Sequence, residues 1–242
     1  MFDPFKDFDT AGYLRNFAAE KDLDIVKAAE HELFRANLPE VVHHLATLTQ
    51  ITYADFCQVH KILFQGLYPW AGQDRSLTAP DSAVHKGETL FAHPADVRRA
   101  VEHALRLGRD ATTQRERPGE VMGLLAYAHP FLDGNGRTLL LVHSELCRRA
   151  GFSILWHRTA KSDYLLALTQ EIANPQLGVL DRYLQAFVGP PQSEQAWVDT
   201  VAALPGLDGA GQLDEVHGSF SDPQVSAQYR QFERHRGYEI KG

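Results

Sequence analysis

The sequence predicts a mainly helical domain with one short β-hairpin. Apolar residues recur at spacings of three and four along most of the chain, which is typical of amphipathic helices. One stretch near residues 75–94 breaks this pattern with Thr, Ser, Gly and Pro between short apolar pieces. We therefore expect a main domain over residues 1–189. A linker with a small appendage or tail is expected over 190–242, where Gly and Pro become frequent.

The periodicity also places the elements in order. Helices are expected at about residues 22–48 (one helix, or a pair broken near Pro39), 53–68, 94–107, 118–128, 138–150, 162–173 and 177–187. Pro118 suits a first helical turn, and Gly151 suits a C-terminal cap. The hairpin is expected within about 76–94, as the only β segment. His60 and His143 fall among apolar residues and are expected to be core histidines.

Composition excludes several classes of function. The formal net charge of −7 argues against a general nucleic-acid or anionic-membrane surface, so neither is expected as a partner. No apolar run approaches the length of a membrane-spanning helix, and the N-terminus lacks the features of a signal peptide. The two cysteines, Cys57 and Cys147, indicate a reducing compartment. We expect a soluble cytoplasmic protein, with delivery into another cell left open.

Residues 129–137, His-Pro-Phe-Leu-Asp-Gly-Asn-Gly-Arg, contain the densest group of chemically capable side chains. Gly134 and Gly136 allow a ligand to approach the backbone closely. A helix follows at once, and the N–H groups at a helix N-terminus attract anions such as phosphates. Arg137 adds a charged fork for phosphate oxygens, and the Asn135 amide can orient a metal or a phosphate. The loop therefore predicts an anion site.

Two further side chains suggest the reaction. Asp133 is a hard oxygen ligand that suits Mg²⁺, and His129 can accept a proton near neutral pH. A hydroxyl deprotonated by His129 would attack a phosphate held in the loop, while Mg²⁺ neutralises charge on the leaving oxygens. The pattern therefore favours transfer of a phosphorus-containing group. A plain Gly-Asn-Gly turn between two helices is the structural alternative.

This nine-residue segment resembles the signature of Fic-domain proteins, H-P-F-x-[D/E]-G-N-G-R, at every position. The segment Leu67–Arg75 resembles the family's Y-x-W-A-G-x-x-R element. Phe91–Pro94 fits the end of the family's flap hairpin, and Gly12–Asn16 resembles an N-terminal family element. The resemblance runs from about residue 10 to residue 188 and does not cover the tail.

The resemblance implies a mostly helical fold with one flap hairpin. It also implies AMPylation, in which AMP passes from ATP to a Ser, Thr or Tyr hydroxyl of a target protein and pyrophosphate is released. By the same resemblance His129 would be the general base and Asp133 the Mg²⁺ ligand. The nucleotide would be bound by Gly134, Asn135, Gly136, Arg137 and, through its nucleoside, Tyr164. The flap residues Lys86, Gly87, Glu88 and Thr89 would align the target main chain by β-augmentation.

Two departures from the family pattern bear on function. Many relatives carry a second Arg three residues after the first, where this chain has Leu140, which puts the identity of the nucleotide or donor in question. The inhibitory pattern [S/T]-x-x-x-E-[G/N] has only a partial match, Thr112–Glu116, which we interpret as exposed helix and loop. The absence of a complete match favours a toxin restrained by a separate antitoxin chain that carries the inhibitory helix.

Two other hypotheses stay open. The first is a Fic-fold enzyme with another donor, transferring another nucleoside monophosphate, a phosphoryl group or phosphocholine. Kinase-like relatives replace the second Gly with Lys, and phosphocholine relatives replace the first Gly with Ala; neither change is present at Gly136 or Gly134. The second is a catalytically silent binding module, which an intact His129 and Asp133 argue against.

Overall fold

A computed structural model describes residues 3–87, 89–207 and 215–237 and shows a helical fold. The first half contains α1 (Phe8–Ala11), α2 (Leu23–Thr47), α3 (Tyr53–Phe64), α4 (Arg75–Thr78), α5 (Val97–Arg109), α6 (Ala111–Glu116) and α7 (Pro118–Ala128). The second half contains α8 (Asn135–Arg149), α9 (Lys161–Ala173), α10 (Val179–Gln185), α11 (Glu194–Ala202) and α12 (Pro223–Arg236). The predicted fold class is confirmed. No helix in the described part of the chain is long and apolar enough to span a bilayer.

The predicted flap hairpin is present as β1 (Ser82–Lys86) and β2 (Thr89–Leu90), which pair antiparallel. The expectation that it is the only β segment is wrong. Strand β5 (Glu215–Ser219) pairs antiparallel with the other edge of β1, and β3 (Ser153–Ile154) pairs with β4 (Val188–Gly189). These strands are two to five residues long. Such short strands give too few residues for an alternating pattern to stand out from a helical one.

Helix α7 is the centre of the core. Every residue from Pro118 to Ala128 is buried, because this helix is apolar apart from Glu120 and packs against α5, α8, α9 and α10. The helix ends at His129, which has a left-handed backbone conformation. The core thus fixes the position from which the candidate loop starts.

Helix α2 is continuous, so a helix pair broken near Pro39 is excluded. The Asp22 carboxylate caps its N-terminus by accepting from the backbone N–H of Asp24 at 2.9 Å. Pro39 lies on the exposed side of the helix, where water can satisfy the carbonyl that loses its partner. The opposite face carries a buried stripe at spacings of three and four, consisting of Val26, Glu30, Phe34, Leu38, Val41, Val42 and Leu45.

The described residues after 190 pack on the helical body. Helix α11 contacts α2, α12 contacts α9, and β5 extends the flap sheet. Arg236 is buried: its guanidinium lies 3.4 Å from the Tyr127 ring centroid, and its Nε donates to the Ile172 carbonyl at 2.8 Å. The division into a main domain over 1–189 and an appendage over 190–242 stays a prediction.

Candidate active site

The candidate site is the loop between α7 and α8, and two left-handed residues shape it. His129 ends α7 with φ 41°, and Gly134 precedes α8 with φ 74°. The prediction that the second helix begins near Thr138 is wrong, because α8 begins at Asn135. Asn135, Gly136 and Arg137 therefore form the first helical turn. Their backbone N–H groups are among those that a helix leaves without intrahelical partners.

His129 is held from two sides. The Phe91 ring at the end of the flap stacks on its imidazole, with 3.8 Å between ring centroids and an interplanar angle of 11°. The buried Arg75 donates from Nε to the His129 carbonyl at 2.7 Å and from Nη2 to the Ala92 carbonyl at 2.7 Å. Arg75 therefore ties the flap to the start of the loop. The W-A-G-x-x-R resemblance included Arg75, but the sequence did not reveal this role.

Asn135 determines which nitrogen of His129 carries the lone pair. The Phe131 N–H donates to Asn135 Oδ1 at 2.8 Å, and Asn135 Nδ2 donates to the Phe131 carbonyl at 2.7 Å. These two bonds orient the amide so that Nδ2 also donates to His129 Nε2 at 3.1 Å. In the neutral ring Nε2 is then the acceptor and Nδ1 carries the proton. Asn135 therefore orients the base, whereas the sequence analysis had assigned its side chain to the metal or the phosphates.

The two glycines of the loop have different reasons to be glycine. A Cβ at Gly134 would lie 2.4 Å from the Phe64 ring, and its backbone is left-handed. A Cβ at Gly136 would meet no atom within 4 Å. Open space thus lies beside the first turn of α8, at the positive end of the helix dipole. This space is where a phosphate group could approach the backbone.

Three charged side chains surround Asp133. Its carboxylate contacts the ammonium of Lys27, accepts from the backbone N–H of Gly134 at 2.7 Å, and lies 3.8 Å from Arg137. Lys27 Nζ also lies 3.0 Å from a carboxylate oxygen of Glu30, and Arg137 Nη2 lies 2.5 Å from the other. The cluster joins α2 to the loop and balances two carboxylates with two cations.

Burial and ion pairing act in opposite directions on the pKa values of this cluster. Burial and the neighbouring Asp133 carboxylate raise the pKa of Glu30, although Arg137 and Lys27 act in the opposite direction. Burial also disfavours the charge on Asp133, but Lys27 and Arg137 outweigh it and hold the pKa of Asp133 below its usual value. Burial likewise opposes the charge on Lys27, yet the two carboxylates raise the pKa of this lysine.

Arg137 stays a prediction as a ligand of phosphate oxygens. Its guanidinium is buried, bonded to Glu30, and lies 4.8 Å from the Phe64 ring centroid. The sequence analysis did not identify Lys27 or Glu30. The sequence did contain one indication of this ion pair, because Glu30 lies between Val26 and Phe34 on the apolar stripe of α2. A carboxylate on a buried face requires a buried partner.

His60 packs against the loop and is a core histidine, as predicted. It is fully buried, its ring stacks on Phe131 with 3.8 Å between centroids, and its Nδ1 accepts from the Gly72 N–H at 2.9 Å. Nε2 then carries the proton and donates to the Asp133 carbonyl at 3.0 Å. Burial lowers the pKa of His60 to about 3, so the ring stays neutral. His143 is also fully buried.

The flap residues lie where the sequence placed them. Lys86 pairs with Thr89 in register, and Lys86 and Gly87 are exposed at the tip. Glu88 lies outside the described residues. Tyr164 lies on α9, packs edge-to-face on Trp156 with 5.3 Å between centroids, and stays a prediction as a nucleoside contact. Thr112 and Glu116 are exposed, which confirms our interpretation of that partial match.

The residues present suit one kind of metal ion. In the described ranges, no group of three or more His, Cys, Asp or Glu side chains is placed to hold a metal. Asp133 supplies a carboxylate beside the helix N-terminus. Mg²⁺ commonly takes one or two protein carboxylates and completes its shell with water and substrate phosphates. Asp133 therefore fits as a protein carboxylate ligand of a magnesium ion.

Comparison with known proteins identifies this architecture. Residues 50–147, which contain the loop and the flap, match the model of the Fic/DOC family. The region from residue 50 to residue 147 thus matches a Fic domain. Helix α2, which supplies Lys27 and Glu30, lies before the matched region.

Relatives in sequence include the protein adenylyltransferase VbhT of Bartonella schoenbuchensis, 36% identical over 115 residues, covering 44% of this chain and 23% of VbhT. The probable protein adenylyltransferase y4lH of Sinorhizobium fredii is 29% identical over 150 residues, covering 58% of this chain and 73% of that protein. The match to VbhT thus spans about a quarter of its length.

Solved structures share the fold. BepC of Bartonella tribocorum, crystallised with AMPPNP, aligns with a TM-score of 0.59 at 18% identity, covering 76% of this chain and 95% of that structure. An ADP-bound Fic domain from Bartonella quintana aligns with a TM-score of 0.60 at 20% identity, covering 78% and 96%. At these identities the likeness concerns the Fic fold.

Proposed function

We propose that this Fic domain transfers AMP from ATP to a hydroxyl side chain of a target protein. The observation that carries the proposal is the pairing, on one loop, of a histidine lone pair with an open helix N-terminus. His129 Nε2 accepts from Asn135, and the space beside Gly136 adjoins the first N–H groups of α8. The names of the sequence relatives support adenylyl transfer as the reaction.

In the proposed reaction the hydroxyl oxygen of the target forms a bond to the α-phosphorus of ATP. The bond from that phosphorus to the oxygen bridging the α- and β-phosphates breaks, and pyrophosphate leaves. The hydroxyl proton passes to His129 Nε2, whose lone pair the Asn135 amide occupies before the target arrives. The imidazolium that forms stays stacked on Phe91. Phe91 and Arg75 keep the ring in place during the transfer.

The remaining residues bind and orient the reactants. The N–H groups of Asn135, Gly136 and Arg137 would meet the phosphate oxygens at the N-terminus of α8. Asp133 would hold Mg²⁺, which when bound neutralises charge on the phosphates. Tyr164 would contact the nucleoside. The flap residues Lys86, Gly87, Glu88 and Thr89 would align the target main chain. Because β2 and β5 pair with the two edges of β1, a target strand would have to add to the outer edge of β2.

The test compares the wild type with His129→Ala in a bacterial lysate containing Mg²⁺ and ATP labelled on the α-phosphate. We expect label on discrete proteins with the wild type only, while both proteins bind ATP with similar affinity. His43→Ala is the matched control, because His43 is exposed on α2, and it should label like the wild type.

The same lysate separates the alternative donors. Label from γ-labelled ATP would indicate phosphoryl transfer, and label from CDP-choline would indicate phosphocholine transfer. Absence of transfer from every donor would reject the enzymatic proposal and favour a binding module. Co-purification of a small partner from the native host would support a separate antitoxin.

A further inference from the structure

The Asp133 carboxylate already has a cationic partner supplied by this chain. Lys27 reaches it from α2, 106 positions earlier in sequence, and only 11% of the lysine side chain is exposed. The ammonium forms an ion pair with the carboxylate of Asp133. The other Asp133 oxygen accepts from the Gly134 N–H at 2.7 Å. Both oxygens are thus engaged within the protein.

Lys27 has a second carboxylate within reach. Its Nζ lies 3.0 Å from Glu30, one turn further along α2 and fully buried. Glu30 also bonds to Arg137, so the lysine bridges the loop cluster and the helix. An ammonium on a flexible four-carbon stem can leave one carboxylate while keeping the other. The Arg137 guanidinium, enclosed by Glu30 and the Phe34 and Phe64 rings, lacks that freedom.

From this arrangement we propose that Lys27 is the exchangeable counter-ion of Asp133. Its ammonium pairs with the carboxylate in the metal-free protein, and a divalent cation replaces it there while Lys27 keeps Glu30. Lys27 is thus a positioning residue that sets the affinity of the site for divalent cations. The inference deepens the proposed function by assigning control of its metal site to a residue outside the matched Fic region, and its test is independent of AMP transfer.

The exchange has a direct consequence for charge. With Lys27 present, a divalent ion must displace a cation from Asp133. Without Lys27, two carboxylates face a single remaining cation, Arg137, and the site becomes net negative. Removal of the lysine should therefore strengthen divalent-cation binding. A purely structural lysine would have the opposite effect, because its loss would disorder Asp133.

The first experiment titrates the full chain with Mn²⁺ in the absence of nucleotide and measures free Mn²⁺ by electron paramagnetic resonance. We expect the dissociation constant of Lys27→Met to be at least about tenfold lower than that of the wild type. Lys21→Met removes the same charge from a half-exposed lysine just before α2 and should match the wild type. Asp133→Asn in the Lys27→Met background should abolish the gain.

A second measurement does not depend on the folding of Lys27→Met. Lysine ammonium or Cε resonances of the wild type are followed during Mg²⁺ titration, with Lys27 assigned by its loss in Lys27→Arg. The Lys27 signal should shift saturably, and the shift should vanish in Asp133→Asn. A Lys27 signal that stays unchanged while Mg²⁺ saturates the site would overturn the proposal. Equal or weaker Mn²⁺ binding by Lys27→Met, or binding by neither protein, would overturn it as well. Neither titration contains ATP, so a failed AMP-transfer assay leaves both readouts intact.

Discussion

The two loop glycines offer a paired test of the site. At Gly134 an alanine would take a left-handed conformation, with its Cβ 2.4 Å from Phe64. The backbone strain costs about 1–3 kcal/mol, and the forced shift of a buried ring costs about 1–3 kcal/mol more. A domain of this size loses roughly 2–4 °C in melting temperature per kcal/mol. We therefore expect Gly134→Ala to lower the melting temperature by about 4–24 °C.

Gly136→Ala should instead leave the fold intact and weaken ATP binding. Its Cβ meets no atom within 4 Å, and alanine favours helix over glycine by up to about 1 kcal/mol. Its melting temperature should equal or slightly exceed that of the wild type. The added methyl group would fill the space beside the first turn of α8, so ATP affinity should fall at least about tenfold.

The assay combines thermal unfolding by circular dichroism with ATP titration by calorimetry on both variants and the wild type. Wild-type ATP affinity in a well-folded Gly136→Ala protein would show that phosphates do not bind beside this residue. An unchanged melting temperature in Gly134→Ala would refute the packing argument for that position. The pair separates loss of fold from loss of binding, because the substitutions are chemically identical and two residues apart.

Three further perturbations test how the site is supported. Arg75→Met leaves the carbonyls of His129 and Ala92 without their charged donor and should lower the free energy of unfolding by about 3 kcal/mol, measured by urea denaturation; a loss under 1 kcal/mol would contradict this. Glu171 is buried near other carboxylates, and burial raises its pKa to about 7. Because the folded state then binds this proton more tightly than the unfolded chain, stability should decline as pH rises from about 4.5 to about 7. Glu171→Gln should flatten that slope, and an unchanged slope would rule Glu171 out as its source. Arg236→Met should accelerate hydrogen exchange in residues 223–236, measured by mass spectrometry, and protection equal to the wild type would show that Arg236 does not hold this helix.

The sequence could predict those parts of the fold that depend on local patterns. Helix α7 was placed at its observed ends because Pro118 marks its first turn and an apolar run follows. Helix α8 was placed three residues late, since Asn135 and Gly136 have low helix propensity. The Asn135 amide, which bonds to the Phe131 backbone, fixes Asn135 and Gly136 in the first turn of α8.

Strand β5 could not be predicted for a different reason. It gains its hydrogen bonds from β1, more than a hundred residues earlier in the chain. A strand that depends on a distant partner has little local signature. The composition of residues 205–223 instead predicted a linker, because Gly and Pro are frequent there.

The candidate site shows the same division between local and distant information. The chemistry of residues 129–137 could be predicted from the sequence because the loop, the base and the carboxylate are contiguous there. The counter-ions could not be predicted in this way, because Lys27 and Glu30 come from α2. Only the fold brings them to Asp133 and Arg137.

These counter-ions change how phosphate recognition should be understood. The sequence suggested that Leu140 leaves the phosphate pocket one charge short, but Leu140 packs in the core. Glu30 meanwhile pairs with Nη2 of Arg137 and offsets its charge before any phosphate arrives, while the buried Nη1 of Arg137 has no hydrogen-bond partner among the described residues. The N–H groups of the first turn of α8, beside the open space at Gly136, are available to an anion. Since backbone N–H groups carry no net charge, they cannot neutralise a triphosphate alone. Binding of the polyphosphate should therefore depend strongly on the divalent cation at Asp133, and through it on Lys27.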